Sequence, residues 1–256
     1  MQILKGLNFL KAYTTSTSYI NTDLNLVMKM VNDLDKNCDQ KLKTRFNKNP
    51  YAKTFYQQPD LKDVVLSNKY KKDTLGKALQ IFWQTNADDL FKKNYDLSQI
   101  KGKKNIKYMK GVLNEHDVIH CVNNLDSTPL AELSVLAFTL AKEFRWSFFY
   151  ICLASIFLAF KNSFGKNAIK GNLLFRLKYT PVISVLRLLK EGYANGKQTT
   201  WFMTVNWHNY LHLPIETVRQ DLNIPNFAAW EDIKPKWYQL LKLYKKNYQN
   251  EKRTLC

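Results

Sequence analysis

Residues Trp146 to Phe160 are fifteen consecutive positions without a charge. A helix that crosses a bilayer needs about 20 apolar residues, or about 18 at the short end. The run therefore predicts a buried core helix, or one lying in a membrane interface, rather than a transmembrane span. Turn formers are scarce throughout the chain, with 8 glycines and 7 prolines in 256 residues. That scarcity argues for long helices and few turns. No alternating strand pattern and no internal repeat is present. The expected class is all-α, a single multi-helix domain, and a chain of this length buries a substantial core.

Apolar spacing and breakers place the other helices. Residues 1–21 read as a lead-in broken by Thr14 to Ser18. A helix capped by Asn21 or Thr22 is expected to run to about Lys36, followed by a polar, turn-rich stretch over 37–60. Short helices are expected from Leu61 to Ser67 and from Ile215 to Leu222, with a longer one opening near Lys72. The central helix runs from about Asn105 to Asn123. Its successor starts near Thr128, with Pro129 in the favoured first position. A helix from Asn172 to Ala194 is expected to kink at Pro181 and close at Gly196. Thr199 to Leu211 reads as an aromatic helix, and Trp230 to Gln249 as a helical, then basic, tail.

The central helix carries the chemistry. His116 and His120, two of only four histidines, are spaced i, i+4 and so share a helix face. Asp117 flanks that face. Glu132 lies on the next helix, beyond a break at Asp126-Ser127-Thr128-Pro129. A helix, a short turn and a returning helix would bring its carboxylate back to the histidines. Two imidazoles and one or two carboxylates suit a divalent metal, Zn²⁺ first, with Fe²⁺, Mn²⁺ or Co²⁺ as alternatives. His208 and His212 form a second i, i+4 pair, read either as further groups around the site or as ordinary helix histidines. Glu143 reads as a helix-end carboxylate.

The formal charge is +18, mostly from scattered lysines. With no arginine stripe, zinc-finger spacing or RNA-binding signature, the charge disfavours nucleic acid and favours an anionic membrane surface. Cys38, Cys121, Cys152 and Cys256 form no CxxC pair, which suggests a reducing compartment. The first residues lack a signal-peptide h-region and the arginines of a presequence. The expected location is cytoplasmic or at a membrane periphery.

The spacing HDxxH, eleven residues, Glu resembles the metal motif of the ubiquinone (coenzyme Q) biosynthesis protein four family. Here it falls on His116, Asp117, His120 and Glu132. Thr74-Leu75-Gly76-Lys77-Ala78 is similar to a segment upstream of that motif in the family. Glu191 to Lys197, Asn206-Trp207-His208, Pro214 to Arg219 and Leu222 to Pro225 resemble later ones. Ala131 stands where the family has Gly, and His208 where it has an acid. The resemblance covers roughly residues 48 to 228. It divides the chain into a lead-in and helix over 1–45, a family-like domain over 46–230, and a basic C-terminal helix and tail over 231–256.

The resemblance implies an all-helical protein with all four motif residues as metal ligands. It also implies a prenylated lipid or quinone precursor as ligand, peripheral membrane association, and a homodimer or quinone-biosynthesis complex. The implied chemistry is removal of the C1 carboxyl from a prenylated hydroxybenzoate. The prenyl tail needs an apolar lipid groove, expected between the Trp146–Phe160 and Trp201–Trp207 segments and lined by Phe149, Phe157, Trp201 and Phe202. A prenyl-lipid-binding or scaffold protein with a structural metal is the alternative. A metallohydrolase is disfavoured. HDxxH shortens the general-base Glu of HExxH by one methylene, and no histidine precedes His116 to complete an HD phosphohydrolase pattern.

Overall fold

Helix α6 (Pro129–Leu140) is the centre of the molecule, because its sequence leaves it no polar face. Leu130, Ala131 and Leu133 to Phe138 are all buried, and Glu132 is its only charged residue. A helix apolar all round has to be wrapped by others. In the computed structural model, α8 (Pro181–Gln198) makes the most extensive packing on α6, and α7 (Trp146–Phe164) packs on both. The remaining helices are α1 (Leu24–Asn47), α2 (Tyr51–Gln57), α3 (Leu61–Ser67), α4 (Leu75–Thr85), α5 (Lys103–Val122), α9 (Ile215–Asp221) and α10 over 228–238. The structure describes residues 24–85, 100–164 and 181–238, with four further positions between 5 and 10. Among the described residues there is no strand, and no helix is long and apolar enough to cross a membrane. The chain is an all-α single domain.

Two glycines set the α6–α8 distance. A Cβ on Gly192 would lie 2.5 Å from the Ser134 carbonyl oxygen, and one on Gly196 2.2 Å from that of Phe138. The two pairs are each four residues apart, so successive turns of the helices touch through backbone. Gly196 thus lies inside α8, where the sequence suggested a helix end. In an open helix Gly→Ala gains up to about 1 kcal/mol of propensity. Here the obstructing atom is backbone and cannot rotate away. Gly196→Ala is expected to lower stability by about 1–3 kcal/mol, read from the urea midpoint.

Several expected elements come out differently. Helix α1 continues to Asn47, and α2 occupies part of the supposed loop over 37–60. Leu34, Leu42 and Phe46 are buried along α1, but beyond Leu34 the apolar residues are only Cys38, Leu42 and Phe46, one per turn, which is a thin periodic signal. The resemblance-based boundaries at 45/46 and 230/231 both fall inside helices. Residues 199–211 are not one helix but two 3₁₀ turns, Phe202–Thr204 and Trp207–Tyr210. The Phe202 carbonyl accepts Val205 N–H at 3.0 Å, which closes a 3₁₀ turn, and also the Trp207 indole N–H at 3.1 Å. Helix α8 begins at Pro181; residues 172–180 and 239–249 of the expected helices lie outside the described residues.

Candidate metal centre

The α5–α6 turn builds the site. Helix α5 ends at Val122, where Asn124 takes a left-handed conformation (φ 51°) and Leu125 N–H donates to the His120 carbonyl at 2.9 Å. The Thr128 hydroxyl donates to Asp126 at 2.6 Å and accepts from Ala131 N–H at 3.5 Å, capping α6. Glu132 therefore sits in the first turn of α6, where the helix dipole favours a carboxylate.

This turn carries Glu132 back across the end of α5. His116 Nε2 lies 3.2 Å from Glu132 Oε2, and His120 Nε2 3.0 Å from Glu132 Oε1. The two imidazole nitrogens are 3.3 Å apart. Burial pushes the Glu132 carboxyl up, but His116 and then His120 outweigh it and hold the group well below the usual carboxylate range. The His120 side chain is fully buried and stacks on Phe82 with ring centroids 5.1 Å apart. His116 and Glu132 keep 32% and 31% of their side chains exposed, so the cluster has one solvent-facing side.

These three donors fit a metal. One ligand atom from each of the three side chains lies within 4.8 Å of the others, and with ligand bonds of about 2.0–2.1 Å a tetrahedral edge is about 3.3 Å long, matching the 3.3 Å between the imidazole nitrogens. Three proton-accepting atoms crowded this closely need a proton or a cation between them. Among the described residues this is the one group of three such donors close enough to share an ion.

Asp117 does not join them. One step along a helix turns a side chain about 100°, and its Oδ2 accepts the indole N–H of Trp83 on α4. It is 2% exposed and pins α4 against α5. His208 and His212 lie elsewhere. His212 is exposed and meets the Tyr70 ring at 5.0 Å, and His208 faces a cavity beside α2 and α5. Their expected shared face vanishes with the helix that was to carry them.

The four groove residues are not brought together either. Phe149 and Phe157 are 41% and 59% exposed on the outer side of α7, whereas Trp201 and Phe202 are 7% and 1% exposed in the interior. With Leu153, 42% exposed, the two phenylalanines form an i, i+4, i+8 apolar stripe.

A buried ionic cluster escaped the sequence reading. Arg145, just before α7, pairs with Asp39 of α1 and with Glu143 at 3.2 Å. Glu143 also accepts the Trp201 indole N–H. Burial pushes the nearby Glu115 carboxyl well up, Glu143 adds to this, and Arg145 opposes it. One available signal was an arginine at the mouth of an uncharged run in a chain whose cations are mostly lysine.

No protein-family model matches the chain, and no curated protein does. The fold is similar to the crystal structure of a "putative ubiquinone biosynthesis protein" from Nostoc punctiforme. The TM-score is 0.57 at 16% identity, with 86% of this chain and 95% of that chain covered. At this identity the likeness establishes a shared fold.

Proposed function

We propose that this protein binds one divalent metal, zinc first, through His116, His120 and Glu132, and acts on a prenylated quinone precursor. The convergence of two imidazole nitrogens 3.3 Å apart on the two oxygens of the Glu132 carboxylate, one at 3.2 Å and the other at 3.0 Å, open on one side, carries the reading. Its support is the fold shared with the Nostoc protein, together with the HDxxH spacing. The proposed reaction is loss of the C1 carboxyl from a prenylated hydroxybenzoate. The part-exposed His116 and Glu132 favour this over a closed structural site.

The bound metal would supply Lewis-acid stabilisation of charge on substrate oxygens. The chain's own residues do the positioning. Phe82 and the core around Val118 and Ile119 hold His120 in one orientation. Glu132 is fixed by the capped start of α6. The substrate ring enters from the side of His116 and Glu132, the only one not walled by protein among these three residues. The Phe149–Leu153–Phe157 stripe suits contact with the apolar part of a membrane surface, and the net charge of +18 suits anionic headgroups.

Metal content decides the first step. Protein purified without chelator is expected to carry about one metal per chain, and His116→Ala/His120→Ala none. Turnover of a prenylated hydroxybenzoate is expected to disappear in the same variant. A wild type that neither holds nor takes up zinc would overturn the proposal.

A further inference from the structure

We propose that Asn123 is a positioning residue of the metal centre: its side-chain oxygen accepts the Nδ1–H of His120 and so holds that imidazole with Nε2 turned to the metal. The inference deepens the proposed function and rests on its metal reading.

His120 has a proton to place. Its Nε2 lies 3.3 Å from His116 Nε2 and 3.0 Å from Glu132 Oε1. An imidazole that gives Nε2 to a metal carries its proton on Nδ1. A ligating histidine almost always donates that N–H to an acceptor, which fixes the ring. Across the ring, Nδ1 points nearly opposite to Nε2, away from His116 and toward the C-terminal end of α5. It is buried, and no other protein group is hydrogen-bonded to it.

Asn123 has an oxygen to receive it. The residue lies three positions beyond His120, so the two side chains are neighbours on one face of the helix end. Its side-chain N–H donates to the Ile119 carbonyl at 2.8 Å, which folds the amide back over positions 119 and 120. A carbonyl only accepts, so the amide nitrogen faces Ile119 and the oxygen is the other end. That oxygen is buried and hydrogen-bonded to no protein group. A small rotation of either side chain, or one bridging water, joins the two atoms.

Neither helix termination nor solvent accounts for Asn123. Asparagine is favoured at helix ends where the backbone turns left-handed. Here Asn124 takes that conformation (φ 51°), and Asn123 has φ −104°. Asparagine is mostly an exposed residue, yet Asn123 is 4% exposed. The Ile119 carbonyl also accepts the Asn123 backbone N–H at 3.3 Å, so the side-chain nitrogen is not needed there.

The other buried polar groups serve elsewhere. Asp117 accepts from Trp83. Among the described residues, the other buried acceptors without a protein partner are Tyr108, Ser134 and His208. Tyr108 is about 18 Å away along α5, and Ser134 stands about 200° round α6 from Glu132, where α8 packs. His208 faces the cavity beside α2.

Two measurements on the full-length protein test this: zinc affinity by competition with a chromogenic chelator, and the histidine ring-nitrogen NMR spectrum. Asn123→Leu removes the acceptor at similar volume, and Asn123→Asp keeps an oxygen. The leucine variant is expected to bind zinc about ten- to a hundredfold more weakly than the wild type, and the aspartate variant to restore most of that loss. In the zinc-loaded wild type the His120 Nδ1 proton is expected downfield, as a hydrogen-bonded proton. In Asn123→Leu it is expected to move upfield while the His116 ring signals stay, a selective change that a purely structural role would not produce. If Asn123→Leu fails to fold, Asn123→Ala carries the same two readouts. Three results would each overturn the proposal and leave the metal reading standing: wild-type zinc affinity in the folded leucine or alanine variant, an unmoved His120 Nδ1 signal, or an aspartate variant as weak as the leucine one. A wild type that takes up no zinc overturns both.

Discussion

Arg145→Leu is expected to lower the unfolding free energy by about 3–5 kcal/mol, the cost of removing one partner from a buried ion pair. The guanidinium is 4% exposed and Glu143 is 1% exposed, so neither charge is covered by water. Leucine fills much of the space but leaves Glu143 and Asp39 without their cation. Burial already holds the Asp39 and Glu115 carboxyls above their usual range, and Arg145 is the group that opposes it. Without the guanidinium both rise further.

The sign with pH follows. A carboxyl whose folded pKa is raised binds more protons in the folded state than in the unfolded one. Stability then falls as pH rises from the ordinary carboxylate value, about 4, to the raised one. The deficit of Arg145→Leu should therefore be larger at pH 8 than at pH 5, as read from urea midpoints. Arg145→Lys keeps a charge but loses the two-pronged geometry, so its cost should be smaller. Equal stability of Arg145→Leu and wild type at pH 8 would mean that the cluster is hydrated, not buried.

Lone-arginine placement shows what sequence reasoning reads and what it misses. The α5–turn–α6 unit was legible because each of its signals is local: an i, i+4 histidine pair, a break rich in turn formers, and a proline at the first helical position. Those signals also placed Glu132 near the histidines. The Arg145 cluster joins α1, the α6–α7 connection and the 3₁₀ turns, residues up to 162 positions apart between Asp39 and Trp201. No period or spacing encodes such a meeting.

Residues 199–211 failed for a different reason. Trp201, Phe202, Val205 and Trp207 satisfy a helical pattern, yet the Phe202 carbonyl closes a 3₁₀ turn with Val205 N–H and also accepts the Trp207 indole N–H, and Trp201, Phe202 and Trp207 all reach the interior from short turns. Burial of large rings outweighed helix continuity there, and with it went both the shared face of His208 and His212 and the expected groove. The exposed Phe149 and Phe157 show the complementary limit. An uncharged run fixes a helix, but which of its sides is covered depends on where α1, α6 and α8 pack.

Asp117 divides the two accounts of the metal centre, and zinc-dependent stability is the measurement that separates them. Zinc held at about a thousand times its dissociation constant should raise the unfolding free energy by about 4 kcal/mol, provided the unfolded chain binds it poorly. His120→Ala removes a fully buried ligand and should abolish that increment. Asp117→Asn is the sharper variant. An asparagine oxygen still accepts the Trp83 indole N–H, so α4 stays pinned while the charge is lost. The geometry, in which Asp117 faces Trp83, predicts one zinc per chain in this variant and an affinity within about tenfold of the wild type, because a neighbour that is not a ligand acts only through orientation and field. Four-residue ligation, as the motif resemblance implies, predicts a loss comparable to that of His120→Ala. The distinction reaches beyond coordination number. Three protein ligands around zinc leave a position for water or a substrate oxygen, whereas four close it. An intact site in Asp117→Asn would thus favour a centre built for turnover, and a lost one a centre built to hold α4, α5 and α6 together.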